Sequence, residues 1–134
     1  MIHAGWNELK KAFCLHSGSG IQENSQSGYL LLFYAIESGL KAVYLRCNKL
    51  SSTRKIVDER IANTHDLFLL AKTLKLPAHL IGTRNNFRLR RDDTQHPFSD
   101  VHQAWRYHII LNPDDENYIT QWLHNLKKWL EENI

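Results

Sequence analysis

The chain has 134 residues, 43% of them apolar, and a formal net charge of +3. That is the size of one ordinary domain, enough to bury a single core without disulfides or a structural metal, so residues 1–134 are expected to form one unit. The mild positive charge permits nucleic-acid contact but excludes a polycationic binder. Cys14 and Cys47 are the only thiols. Two isolated cysteines make neither a disulfide framework nor a CxxC pair, and buried free thiols are expected.

The opening MIHAGWNELKKAF is interrupted by Lys10 and Lys11 and has no continuous apolar core of signal-peptide length. The longest apolar run, Tyr29 to Ile36, ends at Glu37, far short of the ~20 residues that cross a bilayer. A cytoplasmic protein without membrane contact is the expectation.

Helical spacing recurs along the whole chain, while strand signals are nearly absent. A first helix is expected over Ile2 to His16, broken by Ser17, Gly18, Ser19 and Gly20. Gln22 to Ser27 reads as a loop, with Ser25 or Ser27 available to cap the next helix. From Tyr29 onward, positions 29, 32, 33, 36, 40 and 43 form one apolar stripe, and Leu31, Ala35, Ala42 and Leu45 make the other sides apolar too. A helix of this kind belongs at the centre of a bundle. Glu37 and Lys41 stand four apart in the order that favours a surface ion pair.

Asn48 to Thr53 is a polar connection, followed by a short helical stretch from Arg54 to Ala62. Asn63 or Thr64 can cap a further helix whose Leu67, Leu70, Ala71 and Leu74 share a face, with Pro77 as its stop. Gly82 to Phe98 reads as a long polar loop carrying Arg84, Arg88, Arg90 and Arg91, a length usually associated with function. Ser99 and Asp100 open a helix through Ile110, and Pro113 suits the first turn of the last one. There Tyr118, Trp122, Leu123, Leu126, Trp129 and Leu130 keep three-and-four spacing, with Trp122 and Trp129 as core or dimer-face anchors. Asp114, Asp115 and Glu116 at its start and Lys127 and Lys128 near its end suit the helix dipole. The expected fold class is all-α, an antiparallel bundle of five to six helices.

Three segments add a resemblance. Ala35-Ile36-Glu37-Ser38-Gly39-Leu40-Lys41-Ala42, Thr64-His65-Asp66-Leu67-Phe68-Leu69-Leu70-Ala71 and Ala104-Trp105-Arg106-Tyr107 resemble, in order and spacing, the "A-x-E-x-x-LKA", "HDL-x-x-L" and "RY" elements of the HEPN (higher eukaryotes and prokaryotes nucleotide-binding) family. Together they cover roughly residues 29 to 130. The resemblance implies a helical bundle that commonly dimerises, with polar residues of both protomers in a shared cleft. It also implies a place in prokaryotic defence or toxin-antitoxin systems that engage RNA. Many members are ribonucleases that need no metal or other cofactor, and others have lost catalysis and serve as subunits bound to a protein partner.

Active members carry an Arg followed four to six residues later by a His. The types suit the chemistry: a 2′-hydroxyl attacks its neighbouring phosphate, a His of near-neutral pKa moves protons, and an Arg holds the charge that builds on phosphoryl oxygen. Formal matches are Arg60 to His65, Arg91 to His96 and Arg90 to His96. His65 opens the "HDL" helix, where it reads as a capping or packing histidine. Arg91 and His96 lie nearer to where active members keep the motif, although Asp92 and Asp93 offer Arg91 local partners.

Arg106 matches the family's arginine best, but positions 111 to 113 are Leu, Asn and Pro, so the following His is missing. His102, one turn before Arg106, shares its face and offers a reversed pair. Arg106 paired with Glu37 would instead lock two helices together. The implied catalytic set is thus Arg106, His102, Arg91, His96 and Glu37. The basic segment Arg84, Arg88, Arg90 and Arg91 around Phe87 has the composition of a phosphate-tracking, base-stacking strip, and equally of a solvated basic loop or a contact for an acidic protein. No HExxH, phosphate-binding Gly loop or GxSxG is present, and the eight His show no metal-ligand spacing.

Overall fold

A computed structural model describes residues 2–18, 25–82 and 86–134. In chain order it contains α1 (Trp6–Ser17), α2 (Gln26–Cys47), α3 (Glu59–Ala62), α4 (Leu67–Thr73), strands β1 (Asn86–Arg88) and β2 (Gln95–Pro97), α5 (Val101–Arg106) and α6 (Pro113–Asn133), with 3-10 turns at Thr53–Lys55, Ala78–Leu80 and Phe98–Asp100. The fold is mostly helical, as its periodicity requires.

The centre of the bundle is α2. Ser25 caps it by accepting a hydrogen bond from the Gly28 amide, and Leu32, Phe33, Ala35, Ile36, Gly39, Leu40, Ala42, Val43 and Leu45 are buried around its circumference. A helix apolar on most sides needs neighbours on most sides, and α2 packs against α1, α4, α5 and α6. Gly39 sets the closest approach: a Cβ there would lie 2.7 Å from Leu130 Cδ1 and 3.1 Å from Phe13 Cδ1, so its missing side chain admits α6 and α1 together. Asn112 caps α6 by accepting from the amides of Asp114 and Asp115, and Pro113 occupies the first turn. Trp122 is buried and donates its indole N–H to the Leu80 carbonyl at 2.7 Å.

Several expectations are corrected. Within the segment expected as a loop, residues 86–98 are not a plain loop: β1 and β2 pair antiparallel, with Phe87 opposite His96. Alternating Phe87 and Leu89 are both buried, and Asp93, at φ 57°, turns the chain between the strands. Phe87 is therefore core and offers no face for base stacking. Arg88 uses both its amide and its guanidinium on Asp115, at 2.8 and 3.0 Å, which pins the hairpin to the start of α6.

α5 stops at Arg106 rather than Ile110. His108 takes φ 57°, and the following residues extend so that Leu111 bridges Leu89 and Ile110 accepts from the Arg90 amide. The first helix starts at Trp6, because Gly5 and Glu8 form its entry hydrogen bond. Both cysteines are free but exposed, not buried: Cys14 lies on the outer side of α1 and Cys47 at the end of α2 where the core has ended. No helix among the described residues is long and apolar enough to cross a membrane.

Candidate active site

Glu37 leaves α2 near the start of α4, and His65 from just before α4 and His102 and Arg106 from α5 gather along that stretch of α2. Nδ1 of His65 lies 2.6 Å from Glu37 Oε1, and Lys41 Nζ lies 3.6 Å from Oε2 of the same carboxylate. Since a carboxylate oxygen accepts, Nδ1 is the ring donor and Nε2 of the neutral ring carries the lone pair. The Glu37 and Lys41 side chains are 14% and 13% exposed, so this is a largely desolvated cluster rather than the solvated surface pair that their spacing suggests. His65 itself is half exposed.

His65 was expected to cap or pack: it does not cap α4, but its ring packs against that of His102 while Nδ1 meets Glu37. Asp66 is the N-cap of α4, accepting from the Leu69 amide, while Thr64 accepts from the Asp66 amide. An aspartate one residue later is the stronger cap, which leaves His65 just outside the helix and free to turn toward α2.

His102, on α5, is 4% exposed. Its ring stacks on Phe33 with centroids 5.3 Å apart and lies 5.0 Å from the ring of His65. Nδ1 of His102 has no hydrogen-bond partner among the described residues. Burial pushes the His102 pKa below the usual histidine value, nearby His65 and Arg106 push the same way, and Glu37 and a backbone hydrogen bond with Ser99 oppose them. The ring is therefore neutral at pH 7.

Arg106, one turn further along α5, is exposed and donates to the Tyr34 hydroxyl. That hydrogen bond, with a further one donated to Tyr107, raises the guanidinium pKa, so the charge is permanent. Arg106 does not pair with Glu37. The two residues belong to the same polar stretch all the same, because α2 and α5 are packed together and both act electrostatically on His102. A cleft of about 260 Å³ opens beside Glu37, Lys41, Asn63 and His65.

Of the residues singled out in the sequence, Glu37, His102 and Arg106 are thus gathered in one place. Arg91 and His96 are on the hairpin: Arg91 lies 3.7 Å from Asp92, and His96 is bonded to the Thr94 hydroxyl at 3.0 Å and packed on Phe87. Arg60 is held by Asp58 at 3.0 Å. Arg84 lies outside the described residues. His65 and Tyr34 were missed as site residues. For His65 the signal lay in the adjoining Asp66, whose superior capping ability releases the histidine. For Tyr34 nothing short of the α2–α5 packing identifies it.

Among the described residues no cluster of His, Cys, Asp and Glu forms a metal-binding group. The set instead combines a carboxylate-oriented imidazole, a second neutral imidazole and an exposed guanidinium, which suits proton transfer beside a developing anion. Comparisons of the chain with protein-family models, curated proteins and solved structures found no match.

Proposed function

We propose that this protein is a HEPN-like, RNA-engaging component of a prokaryotic defence or toxin-antitoxin type system, and that it cleaves RNA without a metal ion. The observation that carries this reading is the Glu37–His65 pair set beside His102 and Arg106. Glu37 fixes the tautomer and orientation of His65, a common use of a carboxylate behind a working imidazole. Nε2 of His65 takes the proton from a ribose 2′-hydroxyl, and the oxygen attacks the adjacent phosphorus. Arg106 holds the charge that builds on the phosphoryl oxygens. The bond to the 5′ oxygen breaks, that oxygen takes a proton from water at the open side of the cleft, and a 2′,3′-cyclic phosphate remains. His102 acts as a positioning residue: being neutral, it packs against His65 without adding a second buried charge.

A non-catalytic subunit built on the same resemblance calls for Arg106 buried against Glu37. The exposed Arg106 guanidinium and its Tyr34 partner favour the catalytic reading instead. The test is incubation of purified protein with RNA in the presence of a chelator, followed by end-group analysis. Wild type yields cyclic phosphate and 5′-hydroxyl ends, and Arg106→Ala loses most of this activity. Cleavage undiminished in Arg106→Ala removes Arg106 from the mechanism, and no cleavage by wild type supports the subunit role.

A further inference from the structure

The polar groups of the candidate site belong to a longer line. Gln26, Tyr34, Glu37 and Lys41 fall within about 80° of one another around α2, and they span about 22 Å of its length at 100° and 1.5 Å per residue. Each is matched by a partner from another part of the chain or from α2 itself. His108 Nδ1 lies 3.0 Å from Gln26 Oε1, and Gln26 also donates to the Ile109 carbonyl at 2.9 Å. Arg106 is on Tyr34, His65 is on Glu37, and Lys41 shares that carboxylate. A row of nitrogen-bearing groups, His108, Arg106, His65 and Lys41, therefore follows one edge of α2.

At the His108 end the row opens into a pocket of about 480 Å³, separate from the Glu37 cleft and lined by Arg90, Arg91, His108, Ile109 and Ile110. Part of its lining is apolar and open to solvent: Ile110 is 55% exposed. The early end of α5 creates it. The left-handed turn at His108 brings Ile109 and Ile110 alongside the hairpin, where the Arg90 amide donates to the Ile110 carbonyl. Two guanidinium groups thus rim an apolar floor, with Asp92 near Arg91 as the adjoining carboxylate. A flat ring carried on a phosphate has this chemistry: its face lies on the Ile109 and Ile110 surface while its phosphate meets Arg.

Resting on the proposed cleavage reaction, we infer that single-stranded RNA runs along this edge of α2 and seats one nucleotide, away from the cut, in the Arg90–Arg91–Ile110 pocket. The pocket selects a single strand, because a base paired within a duplex cannot present its face to Ile110. It also gives the exposed Ile110 side chain a role beside the cationic rim.

The test is binding of a fluorescent, cleavage-resistant 2′-O-methyl single strand to the full chain, measured by anisotropy over a range of salt. Arg90→Ala with Arg91→Ala is expected to weaken binding by roughly tenfold or more and to reduce the salt slope by about 0.7, the value for one phosphate contact on a single strand. Ile110→Gln is expected to weaken binding severalfold with the salt slope unchanged, which separates ring contact from charge. Arg54→Ala, an exposed cation elsewhere, is the control. Circular dichroism of each variant excludes misfolding.

Wild-type binding and cleavage with both pocket variants unaffected overturns the pocket and leaves the cleavage reaction standing. Failure of wild type to bind RNA at all overturns both. Binding of a polyglutamate chain in place of RNA, lost in the same arginine variants, overturns the RNA assignment and makes the pocket a contact for an acidic protein.

Discussion

Nδ1 of His65 and Oε1 of Glu37 lie 2.6 Å apart across 28 residues of chain, and the carboxylate belongs to the most central helix of the bundle. A rigid, buried helix therefore holds the acceptor, while the imidazole it orients sits at the outer edge of α4 with its second nitrogen available. Removing the carboxyl charge without changing its shape tests that relationship. Glu37→Gln is expected to lower kcat for RNA cleavage by roughly 10- to 100-fold, the usual cost of losing a group that orients a working histidine. KM should change little, because the contact to the nucleic acid is not made by Glu37. A variant in which KM rises and kcat is unchanged would make Glu37 a binding group instead.

The neutral His102 leads to a pH dependence of stability. Its folded-state pKa is lowered, so below the ordinary histidine value the unfolded chain binds a proton that the folded chain refuses. Its effect on stability is nil above pH ~6.5. As pH falls below that value the ring makes the folded state progressively less favourable, down to its own lowered pKa. His102→Phe, which keeps a ring against Phe33, should flatten this part of the curve. Thermal melts of the two proteins from neutral to mildly acidic pH measure the difference, and parallel curves would mean that His102 protonates freely in the folded chain.

The Arg88 pair on Asp115 explains why the hairpin is part of the domain. Asp115 is 2% exposed and accepts from both the amide and the guanidinium of Arg88. Since the Arg88 side chain is 40% exposed, its charge rehydrates when the partner is lost. Asp115→Ala is then expected to cost about 2 kcal/mol, the scale of hydrogen bonds to a charged group, rather than the full cost of an isolated buried ion. Urea denaturation with an unchanged m-value measures it, and a loss near zero would show that the hairpin docks without this contact.

Much of the helical scaffold is legible from residue order alone. The crowded apolar pattern of 29 to 45 requires a central helix, and Asn112 followed by Pro113 marks the start of α6. Glu37 and Arg106 also stand out. The hairpin does not, because each strand has three residues and a pattern of two buried apolar side chains is too short to outweigh the polar residues around it. Local spacing left the His65–Glu37 contact hidden for a different reason: whether a histidine at a helix start caps it depends on whether its neighbour is the better cap. The exposure of Cys14 and Cys47 is likewise set by which side of each helix meets the core.

Gly39 offers a packing test. A larger residue there meets Leu130 and Phe13, and Gly39→Val is expected to cost about 1–3 kcal/mol by overpacking. Combining it with Leu130→Ala should cost less than the sum of the two single changes, because each compensates for the volume of the other. Strict additivity would mean that α2 and α6 move apart instead of repacking.

The most direct measurement is single-turnover cleavage of a short single-stranded RNA in chelator by wild type and His65→Ala, with folding of both checked by circular dichroism. If His65 removes the 2′-hydroxyl proton, the variant is slower by about 10²- to 10⁴-fold and the wild-type products end in cyclic phosphate. Equal rates for the two proteins would contradict this assignment and take the Glu37–His65 pair out of the chemistry.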